Sequence, residues 1–389
     1  MSMPLKVFVI AGEPSGDRLG ASLIEGLKDE AEIELYGLGG PLMEAAGLRS
    51  QFDISDLAIM GLAEVLPKIP KLLRRIRQAT RAILTVRPDV IVTIDSPDFC
   101  LRVLKRVRKV WTDALTVHYV APSVWAWRPE RAEKMAKHVD HVLALLPFEP
   151  PLMEKAGMTC DFVGHPIVDD KNPNAEEVAT FKSSLASENV LAVLPGSRRG
   201  EVNRMLPLFG DVVDRLLTAY PDLAIVIPTV SGSEVDVKRQ TAGWKAPVTF
   251  ISQGEGPNWE HRKQTAIAAC DAALVTSGTV SLEVASTGCP QVVAYKTNKA
   301  TARMIKKMIL IDTATLVNIL TDTRDIPEFM LESAQADAIT PVLSTLLAGQ
   351  DVAAAQKATA KRAMDLLTPP EANAAARSVL RFVAKNRSA

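Results

Sequence analysis

The chain has 389 residues, 47% of them hydrophobic, too long for one typical core and apolar enough to fill two. Its 45 basic and 45 acidic side chains cancel to zero formal charge, which excludes a nucleic-acid binder acting through overall charge and leaves room only for a local basic patch. Cys100, Cys160, Cys270 and Cys289 have no metal-ligand spacing and read as buried thiols of a reducing compartment; no signal-peptide pattern precedes the first strand, and no apolar run reaches the roughly 20 residues that span a bilayer.

In chain order, the first half predicts strands near 6–10, 33–38, 90–94, 116–120, 141–146 and 160–163, with helical stretches between most of them. Val90-Ile91-Val92-Thr93-Ile94, entered through Pro88-Asp89, has the near-continuous apolar character of a parallel strand covered on both faces. The second half repeats the rhythm with strands near 190–194, 223–227, 248–251, 272–276 and 291–295. Such alternation predicts an α/β protein of two Rossmann-like parallel sheets joined by right-handed crossovers. The polar stretch Asp169-Asp170-Lys171-Asn172-Pro173-Asn174 reads as a linker, giving domains at 1–168 and 169–365. Beyond about residue 330 the chain is alanine-rich and helical, broken at Pro369-Pro370. The last segment, 366–389, either crosses back to the first domain or exchanges with a second subunit of a homodimer; the sequence leaves both open.

Each half opens with a strand that runs into a glycine-containing turn and a helix. In the second half the turn is Pro195-Gly196-Ser197-Arg198-Arg199-Gly200-Glu201. Gly196 admits close backbone approach, Ser197 suits an N-cap, and the amides that follow lie at the positive end of the helix dipole, which stabilises phosphate. Arg198 adds a bidentate donor for a diphosphate. The plainer reading is an ordinary strand-to-helix turn with surface arginines. A second such turn, Ser277-Gly278-Thr279, follows strand 272–276 and places Glu283 one helical turn on, where its carboxylate suits the two hydroxyls of a ribose or simply compensates the helix dipole. Two phosphate-competent turns in one domain favour a nucleotide diphosphate.

The first turn, Ala11-Gly12-Glu13-Pro14-Ser15-Gly16-Asp17, is too acidic for a phosphate cradle and departs from the G-x-G-x-x-G fingerprint. Glu13, Ser15 and Asp17 there are expected to meet neutral sugar hydroxyls or a cationic group. Asp95 and Asp98 follow strand 90–94, where a catalytic base would be held rigidly; the alternative is a turn with an aspartate cap. Trp125, Trp127 and Arg128 lie in a loop after strand 116–120, positioned to stack on a sugar or meet acyl chains, or else to pack in the core. His118 and His165 read as structural hydrogen-bonders. Over residues 57–78 an apolar set (Ile59, Met60, Leu62, Leu66, Ile69) runs beside Lys71, Arg74 and Arg75, a pattern that suits an anionic bilayer surface. A helix packed on its own sheet explains Leu72, Leu73 and Ile76 equally well.

These motifs together resemble the lipid-A-disaccharide synthase family. The likeness is carried by the first turn, Gly37-Leu38-Gly39-Gly40-Pro41-Leu42-Met43, Met60-Gly61-Leu62-Ala63-Glu64-Val65, Ile94-Asp95-Ser96-Pro97-Asp98-Phe99, Pro122-Ser123-Val124-Trp125-Ala126-Trp127-Arg128, Leu146-Pro147-Phe148-Glu149, Val163-Gly164-His165-Pro166, the Gly196 turn and Ser277-Gly278-Thr279. They occur in family order from residue 6 to about 330. The resemblance implies a GT-B glycosyltransferase at the cytoplasmic face of the inner membrane, needing no metal or organic cofactor. It would move 2,3-diacylglucosamine from its UDP donor to the 6-hydroxyl of an acylated glucosamine 1-phosphate with inversion, a step of lipid A and lipopolysaccharide biosynthesis. It implies that Gly196, Ser197, Arg198, Glu201, Ser277, Gly278, Thr279 and Glu283 hold UDP, that Asp95 and Asp98 lie near the acceptor, and that Asn318 is a further functional position. The sequence departs from the family pattern at Val317, where proline is usual, and at Leu331, where a glutamine often stands. Two rivals remain: a sugar-nucleotide epimerase on the same fold, and a nucleotide-sugar binding protein without turnover.

Overall fold

The computed structural model describes residues 3–52, 54, 62–169, 172–256, 258–349 and 351–387, with side chains at all of these except 62–69, 299, 300 and 305. The chain forms two α/β units, Met1–Pro166 with Leu367–Ala389, and Ile167–Leu366.

The first unit is built on a six-stranded sheet of β1 (Leu5–Ala11), β2 (Ile33–Leu38), β3 (Val90–Ile94), β4 (Thr116–Tyr119), β5 (His141–Ala144) and β6 (Thr159–Phe162), in the order β2-β1-β3-β4-β5-β6. Every pairing is parallel. Both faces are covered, which is why the strands read as continuous apolar runs. Along β1 the side chains alternate: Phe8 and Ile10 enter one core with Ile83, Val103 and Leu104, while Val7 and Val9 enter the other with Leu23, Ile24 and Val379. Val379 belongs to the last helix, Ala374–Arg387, so the chain returns to this unit at its end. There Phe382 stacks on His141, and Ser378 donates to Asp161 Oδ2 at 2.6 Å.

The second unit has β7 (Val190–Leu194), β8 (Ala224–Thr229), β9 (Val248–Ser252), β10 (Ala272–Thr276), β11 (Gln291–Tyr295) and β12 (Glu328–Met330), in the order β12-β11-β10-β7-β8-β9 and again all parallel. Leu191 and Val193 pack with Met205, Phe209 and Val213 of the helix Arg199–Leu216 and with Ile339 and Leu343 of the helix Ala336–Leu347. In each sheet the order reverses once, between β1 and β3 and between β7 and β10. Those reversals leave a crevice at the strands' carboxyl ends, the place where open parallel sheets bind ligands.

Three expectations need correction. The strand β12 is not predicted, because three residues after Pro327 give no apolar run. The linker 169–174 is shorter than expected: Asp169 closes a 3-10 helix, and Asn174 is the N-cap of the helix Ala175–Ser184. Asn174 accepts from Glu177 N at 2.8 Å while its own amide donates to Glu177 Oε2 at 2.9 Å, a capping box. Asp170 and Lys171 lie outside the described residues. Ser197 is not the N-cap it resembles; Arg198 is, with an extended backbone and no side-chain cap bond.

Candidate active site

In the second unit the turns after β7 and β10, adjacent strands, open into one cleft of about 460 Å³. Gly196, Ser197 and Arg198 come from the first turn and Ser277, Gly278 and Thr279 from the second, with Glu201 and Glu283 on the helices that follow. Gly196 has φ +103°, so the turn requires glycine; a Cβ there would also crowd Glu201, whose Oε2 lies 2.8 Å from that position and can swing aside. Arg198 makes no side-chain cap bond to the helix it starts, and Glu201 N donates to Arg198 O at 2.9 Å, so among the described residues no side chain competes with a ligand for the amides at the head of Arg199–Leu216. Arg199 is drawn away from the cleft by Asp236, whose Oδ2 lies 2.6 Å from its Nε. Arg198 is exposed and lies 3.5 Å from Glu201 Oε1, a pair that contributes little to stability. Thr276, at the end of β10, lines the cleft with a buried hydroxyl that has no hydrogen-bond partner, an unmet polar group of the sort a ligand or water satisfies.

Among the cleft residues that the sequence missed are Trp259 and Lys263. Both lie on the helix Trp259–Ala268, four residues apart and therefore on one face. The side chain of Lys263 is 8% exposed, and its ammonium sits 2.8 Å from Glu283 Oε2, 2.6 Å from Glu260 Oε2 and 4.5 Å from the Trp259 ring centroid. Burial works against this ammonium, but the Glu283 and Glu260 carboxylates outweigh it and hold its pKa above the ordinary lysine value. Lys263 thus fixes Glu283 within the cleft. The only signal in the sequence was an ordinary polar helix, and only the fold brings residue 263 to residue 283.

In the first unit the turns after β1 and β3 are tied together. Ser15 Oγ donates to Asp95 Oδ2 at 3.0 Å, and Ser96 Oγ donates to Glu13 Oε1 at 3.1 Å. Asp95 and Ser96 both adopt left-handed backbone, at φ +50° and +41°, ahead of the helix Pro97–Arg108. Left-handed residues outside glycine are uncommon, and two in succession at a strand end are a mark of a functional turn. Asp95 is half-buried, whereas Asp98, in the first turn of that helix, is exposed.

Asp17 is corrected from sugar contact to helix cap. It is buried, and its carboxylate accepts from the amides of Gly40 (2.7 Å), Leu42 (3.0 Å) and Met43 (3.1 Å) at the start of the helix Pro41–Ala45. Asn318 is likewise fully buried: its amide nitrogen donates to Ile326 O at 2.9 Å, and its carbonyl oxygen accepts from Ile326 N at 3.0 Å. It braces the segment that leads into β12. His118 is the structural hydrogen-bonder expected, with Nδ1 2.8 Å from Thr93 Oγ1 and its pKa lowered by burial to about 4.

The two tryptophans of the loop after β4 differ. Trp127 is exposed, with the guanidinium groups of Arg128 and Arg131 over its ring at 4.6 Å and 5.7 Å from the centroid. Trp125 is half-buried and anchored, meeting Phe148 edge-on and donating from Nε1 to Glu149 Oε1 at 3.2 Å. Glu149, another residue whose role the sequence did not reveal, is 3% exposed; burial raises its pKa to about 7.

Of the expected membrane patch, Ile59 and Met60 lie outside the described residues, as do the side chains of Leu62, Leu66 and Ile69. Within the helix Leu62–Val86, Lys71 and Arg74 are exposed, while Arg75 is half-buried with its guanidinium 4.4 Å from the Phe52 ring centroid. Ile76 is buried, and Leu72 and Leu73 pack on the core of their own unit, so that part of the periodicity belongs to folding. Among the described residues no single helix is long and apolar enough to cross a membrane.

The sequence profile of the family described as lipid-A-disaccharide synthetase matches residues 7–382. The lipid-A-disaccharide synthase of Ruegeria pomeroyi is 49% identical over 380 residues, covering 95% of this chain and 94% of that protein. That of Rhodospirillum centenum is 44% identical over 350 residues, covering 88% and 85%. Among solved structures, the UDP-GlcNAc 2-epimerase from Neisseria meningitidis bound to UDP-GlcNAc superposes with a TM-score of 0.62 at 14% identity, covering 98% of this chain and 100% of that one. A glycosyltransferase from Rickettsia africae gives 0.58 at 12% identity, covering 99% of each chain. At such identities these likenesses establish the fold, which is that of GT-B enzymes.

Proposed function

The chain belongs to the lipid-A-disaccharide synthase family, and on that premise we propose that it transfers 2,3-diacylglucosamine from its UDP donor to the 6-hydroxyl of 2,3-diacylglucosamine 1-phosphate, releasing UDP. It is a glycosyltransferase of lipid A biosynthesis. One observation carries the reading of the donor site: two glycine turns on adjacent strands converge on a single cleft that also holds the Lys263–Glu283 pair. In this reading the helix amides after Gly196, with Arg198 and the Ser277-Gly278-Thr279 turn, take the diphosphate. Glu283, oriented by Lys263, accepts the ribose hydroxyls, and the apolar wall of Pro228, Val230 and Trp259 suits the base.

The cleft's cations are matched by carboxylates: Arg198 by Glu201, and Lys263 by Glu260 and Glu283. Recognition of the diphosphate therefore rests on backbone amides more than on net charge. During transfer the acceptor oxygen attacks the anomeric carbon in line with the departing diphosphate, whose growing charge those amides stabilise. Asp95, positioned by Ser15 and a left-handed strand end, takes the proton from the acceptor hydroxyl, with Asp98 as the second candidate base. The exposed Lys71 and Arg74 support a reading in which the enzyme works peripherally on an anionic inner-membrane surface, where its acylated substrates reside.

UDP release measured with and without the acylated acceptor tests the proposal. Acceptor-dependent release, with disaccharide formed in equal amount, supports transfer. Tight UDP binding without any release, or release of equal rate in the absence of acceptor, overturns it. The epimerase rival predicts interconversion of the free sugar nucleotide with no acylated acceptor present.

A further inference from the structure

Beside the nucleotide cleft lies a second concavity of about 460 Å³, and the two share Glu201 and Ser277 on their common wall. Its size falls within the range of about 300–1,000 Å³ typical of ligand pockets. The surface it offers is hydrocarbon: Ile309, Ile311, Ala314, Met330 and Leu331, with the Tyr295 ring at the end of β11. The charged groups around it are already engaged. Glu328 accepts from Thr313 Oγ1 at 2.6 Å, Ala314 N at 3.0 Å and Thr315 N at 2.6 Å; Lys306 pairs with Glu332 at 2.8 Å; and Asp312 pairs with Arg324 at 2.5 Å. An apolar ligand would leave all of these bonds in place.

Leu331 sharpens the argument. It holds φ +58°, a left-handed conformation that a branched apolar residue rarely adopts. Strain of this kind persists where the surrounding structure over-determines it, and it concentrates at ligand sites. Here it places an apolar side chain on a groove wall that opens off the diphosphate turns.

We propose that this groove receives an acyl chain of the donor sugar, so that the second unit recognises the donor by its hydrocarbon as well as by its nucleotide. The inference rests on the donor reading above: a sugar attached to a diphosphate held at Gly196 and Ser277 emerges at the shared wall, and an acyl group on that sugar enters the adjoining groove. Ile311, Met330 and Leu331 then set how much chain is accepted.

The test is equilibrium binding, which is independent of turnover. Full-length protein is loaded with fluorescent UDP and titrated with UDP-diacylglucosamine carrying long or shortened chains. Wild type should favour the longer chain by about fourfold for each methylene that enters the groove. Ile311→Trp and Met330→Trp, which fill the groove, should weaken the long-chain donor at least tenfold while leaving UDP itself and the shortest donor within twofold of wild type. Leu331→Gln, a milder change, should weaken the long-chain donor severalfold. A donor with a diazirine at its acyl terminus should label wild type within 309–314 or 328–331, a readout that does not depend on any variant folding. Equal weakening of long and short donors, or labelling confined to other segments such as 59–69, overturns the groove. Failure of wild type to release UDP in the presence of acceptor would instead strike the transferase reading and leave these binding results standing.

Discussion

Lys263→Met separates a nucleotide-binding cleft from a merely well-packed one. The lysine side chain is 8% exposed and its ammonium bridges Glu283 and Glu260. Losing one member of a fully buried pair costs about 3–5 kcal/mol, because the other charge stays desolvated. Glu283 is 32% exposed and Glu260 56%, so water screens both, and the expected loss of folding stability falls to about 1–2 kcal/mol. Methionine keeps most of the apolar contact with Trp259, so packing adds little to that figure. The binding effect is distinct. Removing the cation unfixes the carboxylate assigned to the ribose and leaves Glu201, Glu260 and Glu283 facing a diphosphate with one cation fewer. A weakened bond to a charged group is worth roughly 1.5–3 kcal/mol, which means about a 10- to 150-fold rise in the Kd for UDP. Calorimetric titration with UDP and urea unfolding of the same preparations measure the two effects, and Lys263→Arg should recover most of both. If Lys263→Met lost stability as expected yet bound UDP within twofold of wild type, Lys263 would be structural only and the cleft would not be the nucleotide site.

Gly196→Ala puts a Cβ on a residue at φ +103°, so it should cost about 1–3 kcal/mol in urea unfolding and raise the Kd for UDP about tenfold. Asp95→Asn should lower kcat by about 10²–10⁴ with the Kd for UDP unchanged, and undiminished turnover would move the proton acceptor elsewhere, with Asp98 the next candidate. Glu149 carries a pH signature. Burial raises its pKa from 4.5 to about 7, so between those values the native state keeps a proton that the unfolded chain gives up. The contribution of Glu149 to stability should therefore be greatest below about pH 4.5, fall by up to about 3 kcal/mol as pH rises to about 7, and stay level above it, superimposed on the opposite slope of carboxylates such as Glu234 and Asp236, whose pKa the fold lowers. Glu149→Gln should remove that slope from urea midpoints measured across the range, and an unchanged slope would refute the assignment.

How much of this was legible in the sequence depends on whether the relevant partner was local. Parallel strands covered on both faces announce themselves as apolar runs, so β1, β3, β7 and β10 were visible at nearly their true bounds. A turn that needs glycine announces itself as well, because Gly196 sits directly between a strand and a helix. β12 was invisible: its three half-buried residues contribute an edge whose pairing to β11 depends on Asn318 and Glu328 bracing the preceding loop. The helix Leu62–Val86 shows the opposite limit. Periodicity reveals that Leu72, Leu73 and Ile76 share a face, but not whether that face meets a sheet or a bilayer, and the structure turns it to the sheet.

Charged and polar residues were the least legible, for a reason that also bears on the site. Asp17 spends its carboxylate on amides more than twenty residues away, and Lys263 meets a carboxylate twenty residues on. Neither pairing leaves a periodic trace, so a buried cap and a sugar ligand look alike in sequence, as do a solvated lysine and one that orients a carboxylate. What distinguishes them is whether the group's bonding capacity is already filled by the fold. Asp17 and Asn318 are filled from within, whereas the Thr276 hydroxyl is not. One such unmet hydroxyl, that of Thr276, lines the crevice where β7 and β10 part, and a ligand bound there would complete a hydrogen bond that the protein leaves open.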